Sequence, residues 1–541
     1  MSKKILISLI AFLTSCSEQA DLIVFNANIY TANESSSKAT ALVVKDGKFI
    51  YIGDDSVTSK YSSSNIINAE GLPIYPGFND SHAHFYNLGY LNNQVNLNGT
   101  KSLEEVVNKV VQFDNNNDKN FLIGRGWDQN DWNIKKFPTN ELLNEKFPDK
   151  AVVLRRIDGH AYLVNDYALK LSGIDISSSV EGGEFLKNNG KLTGVLIDNA
   201  MRLIDNVIPS PTKDESIQAL LSAQEIAFEN GLTSVTEAGI SRSQIELIDS
   251  LQRSGILKIK IYAMIENNPE DLNYYLDKGP YKTDRLNVRS VKVYADGALG
   301  SRGASMINDY SDRKGYFGII RTPIDSIINL AFRLAGTNFQ MNTHAIGDNA
   351  NRIVLKAYKD ALFDYRDPRW RIEHAQVINE DDIDFFNQKI LPSVQPTHAT
   401  SDMYWLYDRI GEKRSKLAYA YQELLNRSKV IAFGTDFPVE DINPIMTFYS
   451  AVARKDIDGY PKDGFQIENS VNRLDALNAM TIHGAYVNFE ETEKGSIEVN
   501  KVADFIILDN DIIESLESRI PSTNIVATFI NGELVFNRRY N

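Results

Sequence analysis

The sequence predicts an α/β protein: a (β/α)8 TIM-type barrel with a composite β-sandwich made from both chain ends and an inserted subdomain. Three observations carry that prediction. The first is a series of eight short apolar runs at residues 74–80, 233–237, 258–264, 288–294, 339–344, 370–374, 391–395 and 430–436. Each is followed by polar or glycine-rich residues and then by helix-like sequence, the grammar of parallel βα units. Eight such units suffice to close a barrel. An open doubly wound sheet is the competing arrangement, but no Gly-x-Gly-x-x-Gly turn follows the first run.

The second observation is that both ends are β-rich. Residues 41–45 and 48–52 flank Asp46-Gly47, and residues 526–530 and 533–536 flank Asn531-Gly532. Both dipeptides favour type I′ hairpins. Neither end is large enough for its own core, so residues 21–75 and 486–541 are expected to pair into one sandwich around a barrel at 76–485. The third observation is the long gap between the first two runs, residues 81–232. A structureless connection of that length would be exceptional. Residues 151–155 and 192–197 read as strands, so an inserted subdomain is expected at about 118–215.

Composition narrows the function. Of 541 residues, 43% are hydrophobic and 24% charged, which excludes a disordered, collagen-like or coiled-coil chain. The formal net charge is −14 and no dense Lys/Arg cluster occurs, so nucleic acid is not an expected partner. At the N-terminus, Lys3 and Lys4 precede an apolar run, residues 5–13, too short for a membrane span of ~20 residues. Residues 1–15 therefore read as a secretory signal. The run ends in Leu13-Thr14-Ser15-Cys16, which resembles the lipobox of bacterial lipoproteins. That resemblance implies lipidation of Cys16 and a protein anchored to the bacterial cell envelope, periplasmic or on the outer membrane. Cys16 is the only cysteine, so no internal disulfide is possible.

The chemistry gathers at predicted strand ends. Of seven histidines, His82 and His84 follow the first run, while His344 and His374 end the fifth and sixth; Asp436 ends the eighth. Barrel active sites are built at C-terminal strand ends, and imidazole with carboxylate is a ligand set for divalent transition metals. The period-two spacing of His82-Ala83-His84 puts both rings on one strand face. In Val291-Lys292-Val293 the alternation sends both valines toward the helices and Lys292 into the barrel. An inward lysine is rarely left unpaired. It either pairs with a neighbour such as Glu237 or carries CO2 as a carbamate bridging two metal ions.

Five stretches in this order resemble the amidohydrolase superfamily, in the family 3-like branch that includes N-substituted formamide deformylases. They are Pro76-Gly77-Phe78-Asn79-Asp80-Ser81-His82-Ala83-His84, Val291-Lys292-Val293-Tyr294-Ala295-Asp296-Gly297, Thr343-His344-Ala345-Ile346-Gly347-Asp348, Arg371-Ile372-Glu373-His374-Ala375-Gln376 and Gly434-Thr435-Asp436-Phe437-Pro438. The resemblance implies a metal-dependent hydrolase acting on the C–N bond of a small amide, formamide or cyclic amide. It implies metal binding by His82, His84, Lys292, His344, His374 and Asp436, with two zinc ions bridged by carboxylated Lys292 as the expected cofactor. Iron, manganese or cobalt would suit the same ligands. Two ions sharing a water would supply hydroxide at neutral pH, and Asp436 would take its proton and pass it to the leaving amine.

Further candidates surround this set. His160, in Asp158-Gly159-His160 with Asn165 following, matches a family motif at the pocket roof and is expected to touch substrate. His398 follows the seventh run and would either face the pocket and touch substrate or, equally, play no part in it, and Arg302 sits in a glycine-rich loop after the Lys292 run. Arg302 would bind a substrate carboxylate through its fork or, equally, brace its own loop. His483, on a late helix, is expected to pack, as are Trp127 and Trp132 inside the insertion. A non-catalytic ligand-binding envelope lipoprotein is the alternative from another class, but a binder has no need of six convergent ligand positions. Ester hydrolysis or isomerisation by the same site is a further alternative.

Overall fold

The computed structural model describes residues 18–91, 94–117 and 120–538; the signal-like segment 1–15 and Cys16 lie outside them. Eight parallel strands form the barrel: β1 (Phe78–Ala83), β2 (Leu232–Ile240), β3 (Lys260–Glu266), β4 (Leu286–Tyr294), β5 (Gln340–Ala345), β6 (Trp370–His374), β7 (Ile390–Val394) and β8 (Ala432–Phe433). They hydrogen-bond in that order from β1 to β8. At the remaining seam, Asp436 N–H donates to His82 O and His84 N–H to Phe437 O, both at 2.8 Å. Gly434 makes this approach possible, because a Cβ there would lie 2.5 Å from His82 N.

The strands are buried on both faces, as parallel strands under a helical jacket must be. Outward residues such as Val291, Val293, Met341 and Ile372 join the main core. Inward positions stack in register around the interior: Lys292 beside Asn342, Tyr294 beside His344, Asn342 beside Arg371, and Glu373 beside Ser393. Two jacket helices, Lys213–Glu229 and Arg242–Arg253, open with complete capping boxes at Thr212 and Ser241.

The first predicted strand divides in two. Pro73–Pro76 pairs with Phe505–Leu508 outside the barrel, and the barrel strand begins at Phe78. The division falls at Gly77, whose missing side chain leaves room for Thr233, 2.3 Å from where a Cβ would sit. The eighth strand is also shorter than the sequence run, pairing with β7 only at Ala432 and Phe433, and Asp436 beyond it takes a left-handed φ of 59°.

Two sheets drawn from both chain ends enclose a separate core that includes Val24, Leu42, Phe49, Phe505 and Phe529. Phe505 and Phe529 stack at 4.3 Å. Asp46-Gly47 and Asn531-Gly532 each place two successive residues at positive φ, the type I′ signature. The inserted region forms a six-stranded sheet running from Val95–Asn96 to Lys191–Asp198, so it begins earlier in the chain than the strand-like runs at 151 and 192 suggest. Trp127 and Trp132 pack within its core. Among the described residues no helix is long and apolar enough to cross a membrane.

Candidate active site

The C-terminal strand ends and the insertion enclose a cavity of about 670 Å³. His82 and His84, at the end of β1, enter it together with Lys292 from β4, His344 from β5, His374 from β6 and Asp436 after β8. Alternation alone would turn His374 away from its neighbour Glu373. A left-handed φ of 75° at His374 brings its ring back to the mouth, a strain typical of functional positions.

The imidazoles crowd one another. Ring centroids lie 4.8 Å apart for His82 and His374, and 4.5 Å apart for His344 and His374. Lys292 Nζ lies 3.0 Å from His82 Nε2, and His84 Nε2 lies 3.2 Å from Asp436 Oδ1. Asp436 Oδ1 is nevertheless buried without an aligned hydrogen bond. Burial pushes His84 down to about 4 and holds His344 and His374 well below the usual imidazole range, so these rings are neutral. Burial likewise lowers the Lys292 ammonium to about 8.

Outer partners fix the tautomers. His82 Nδ1 bonds Glu373, and His374 Nδ1 donates to Gln395 Oε1 at 2.7 Å. Each bond leaves Nε2 facing the centre, the arrangement found around metal-ligating histidines. Glu373 is held by Arg371 at 2.6 Å. Although burial opposes its ionisation, Arg371 and His82 keep the carboxyl far below the usual range.

The residues present fit a metal. His82, His374 and Asp436 each offer a ligand atom, all within 4.8 Å of one another. Neutral rings and an orphaned carboxylate oxygen are the donor set a divalent cation requires.

The remaining candidates divide. His160, from the insertion, reaches the roof; its ring lies 5.1 Å from His344 and its Nδ1 donates to Asp198 at 2.6 Å. His398 lies between two carboxylates, with Nε2 3.5 Å from Asp436 Oδ2 and Nδ1 2.9 Å from Glu440. Burial disfavours its charge, but those two carboxylates push it up to about 10. Arg302 lies apart from the cavity lining and forks onto Asp312 at 3.1 and 2.9 Å. Asn165 caps the helix Asp166–Leu171 and takes no part in the roof. Glu237 accepts from Tyr86 N–H at 3.0 Å and forms no ion pair with Lys292. Its burial raises it to about 8. His483 packs behind β8, bonded to Ile431 O at 3.1 Å.

Sequence reasoning assigned no role to Glu373, Gln395, Asp198 or Glu440, the outer partners of the four histidines. Inward periodicity on β6 was the available signal for Glu373. The others depend on contacts between distant segments.

Fold and site together define a class, a barrel hydrolase built to hold a divalent metal. The chain belongs to the amidohydrolase family, whose model matches residues 65–536. It is 30% identical to the protein LONG AFTER FAR-RED 3 of Arabidopsis thaliana, over 96% of this chain and 92% of the relative. It is 23% identical to the N-substituted formamide deformylase of Arthrobacter pascens, over 96% and 99% of the two chains. Among solved structures, a metal-dependent hydrolase of Pyrococcus horikoshii superposes with a TM-score of 0.75 at 28% identity, covering 92% of this chain and 99% of its own.

Proposed function

We propose that this protein hydrolyses the C–N bond of a small amide, formamide or cyclic amide. The observation that carries the reading is the convergence of His82, His84, Lys292, His344, His374 and Asp436 on one roofed cavity at the strand ends. A deformylase acting on N-substituted formamides, similar over nearly the whole chain, supports the bond type. We assign metal binding to those six residues, with zinc as the ion and a carboxylated Lys292 bridging a pair of ions. When bound, such ions polarise a scissile carbonyl and acidify a water molecule.

The protein's own groups do the rest. Asp436, whose Oδ1 has no hydrogen-bond partner, accepts the proton of the attacking water and delivers it to the leaving nitrogen. His398 contacts the same carboxylate through Oδ2 and holds it in place. His160, with Nδ1 fixed on Asp198, presents Nε2 to the substrate and closes the cavity from above. Removing water from the site strengthens each of these interactions.

The test is turnover of an amide and formamide panel by metal-loaded protein. Asp436→Asn should lower kcat about 10³-fold, within the range for a lost general base. Activity unaffected by Asp436→Asn refutes the assigned role, and a binder with no turnover of any amide or ester refutes the hydrolytic reading. The lipobox-like Leu13-Thr14-Ser15-Cys16 supports anchoring to the cell envelope. Cys16→Ser should move the protein from the membrane fraction to the soluble fraction.

A further inference from the structure

The roof of the cavity contains two arginines that the proposed hydrolysis does not use. Arg125 and Arg155 lie directly opposite each other on adjacent parallel strands of the insertion, Phe121–Trp127 and Ala151–Arg156. Register partners on parallel strands share a face, so both guanidinium groups point the same way. They flank Gly159, where a Cβ would stand 3.6 Å from nitrogens of both. Both line the cavity that holds His82, Lys292 and Asp436.

Among the described residues neither arginine has a carboxylate within ion-pair distance. Arg125 is 8% exposed, donates one bond to Ile157 O at 2.9 Å, and leaves Nε buried without an acceptor. Arg155 donates from Nε to Gly159 O at 3.1 Å. The nearby carboxylates are already engaged: Asp158 by Arg156, Asp198 by His160, and Asp205 by the Tyr162 hydroxyl. Arg155 is partly exposed, and nearby Tyr162 and Asp205 favour its charge. Burial and the adjacent Arg155, however, lower Arg125 to about 10, a cost that an anion joining the two would relieve. The fixed donor fork of arginine suits a planar, two-oxygen anion.

Resting on the hydrolase reading for the other end of the cavity, we infer that Arg125 and Arg155 form an anion subsite that receives a carboxylate of the substrate. The substrate is then an amide with an acidic group remote from its scissile bond. Its carboxylate docks under the insertion while its carbonyl reaches the strand ends. The insertion thereby selects substrate as well as covering it.

The test uses full-length, metal-loaded protein and separates the subsite from the chemistry. Succinate and glutarate are compared with their uncharged diamides by calorimetry and thermal shift, on wild type, Arg125→Gln, Arg155→Gln and Asp436→Asn. The dicarboxylates should bind wild type and Asp436→Asn, with affinity falling roughly a hundredfold in either arginine variant, as for a buried charge-assisted bond. Arg155→Lys should recover part of the loss, and unchanged metal content in the glutamine variants shows that the centre is intact. Equal binding of acids and diamides, no binding of either acid, or binding lost only in Asp436→Asn overturns the subsite. None of these outcomes bears on amide turnover, so the hydrolase reading stands or falls by its own assay. Where turnover is found, preference for an acidic amide over its neutral analogue should shrink at least tenfold in the arginine variants.

Discussion

The barrel buries two lysines on neighbouring strands, and they differ in what surrounds them. Lys260, at the start of β3, meets both oxygens of Asp504 at 2.7 Å and Asn531 Oδ1 at 2.7 Å. It ties the barrel to the sandwich, and its charge is fully matched. Lys292, toward the end of β4, is equally buried, but among the described residues no carboxylate lies within ion-pair distance of it; His82 Nε2 is 3.0 Å away. A matched buried cation is part of the scaffold. An unmatched one, placed among neutral imidazoles at the strand ends, is where the proposed metal centre draws its lysine.

Substituting both lysines by methionine breaks the comparison most severely. Lys292→Met should abolish turnover and lower metal content while leaving the metal-free protein as stable as metal-free wild type, because no ion pair is lost. Lys260→Met should do the reverse, costing about 3–5 kcal/mol by stranding Asp504. Denaturant unfolding and metal analysis of both variants read the contrast, and a stability loss in Lys292→Met comparable to that in Lys260→Met would erase it.

Smaller effects sharpen it. Glu373→Gln removes the anion behind His82 and should weaken metal affinity about 10–100-fold, the size seen for outer partners of metal ligands. Competition with a chelator measures this. His483 is a half-buried basic group behind β8, but it is neutral, with burial pushing it down to about 4. The folded state therefore resists its protonation, and the unfolded chain binds the extra proton below the usual 6.5. Its contribution is full above pH 6.5 and is lost as pH falls toward 4, at about 1 kcal/mol per pH unit. His483→Gln should flatten that part of the acid unfolding curve. Arg302→Ala should have the smallest effect, about 1 kcal/mol or less, because it removes one partly exposed pair with Asp312. Amide turnover by this variant should match wild type.

The two regions were unequally legible in the sequence. Each barrel strand left an apolar run, and the valines flanking Lys292 give its inward direction from alternation alone. The histidines and Asp436 could be placed because strand ends mark where barrels keep their chemistry. Other features leave no local trace. The left-handed backbone of His374 reverses the side that alternation predicts. The break at Gly77 depends on Thr233, far along the chain. Whether Arg302 meets a substrate or Asp312 is decided by loop geometry, which periodicity does not encode. The pairing of Arg125 with Arg155 needs the register of two strands within the insertion. Asn165 looked like part of a motif near His160, yet its side chain caps a helix.

On the reading proposed above, Lys292 and the surrounding imidazoles are a metal centre rather than an ordinary polar core. Metal stoichiometry by elemental mass spectrometry tests it most directly, on protein purified without chelators and compared with Lys292→Ala. Two divalent ions per chain, falling on the substitution together with loss of amide turnover, are the predicted result. Absence of bound metal after reconstitution with zinc and bicarbonate would contradict the claim.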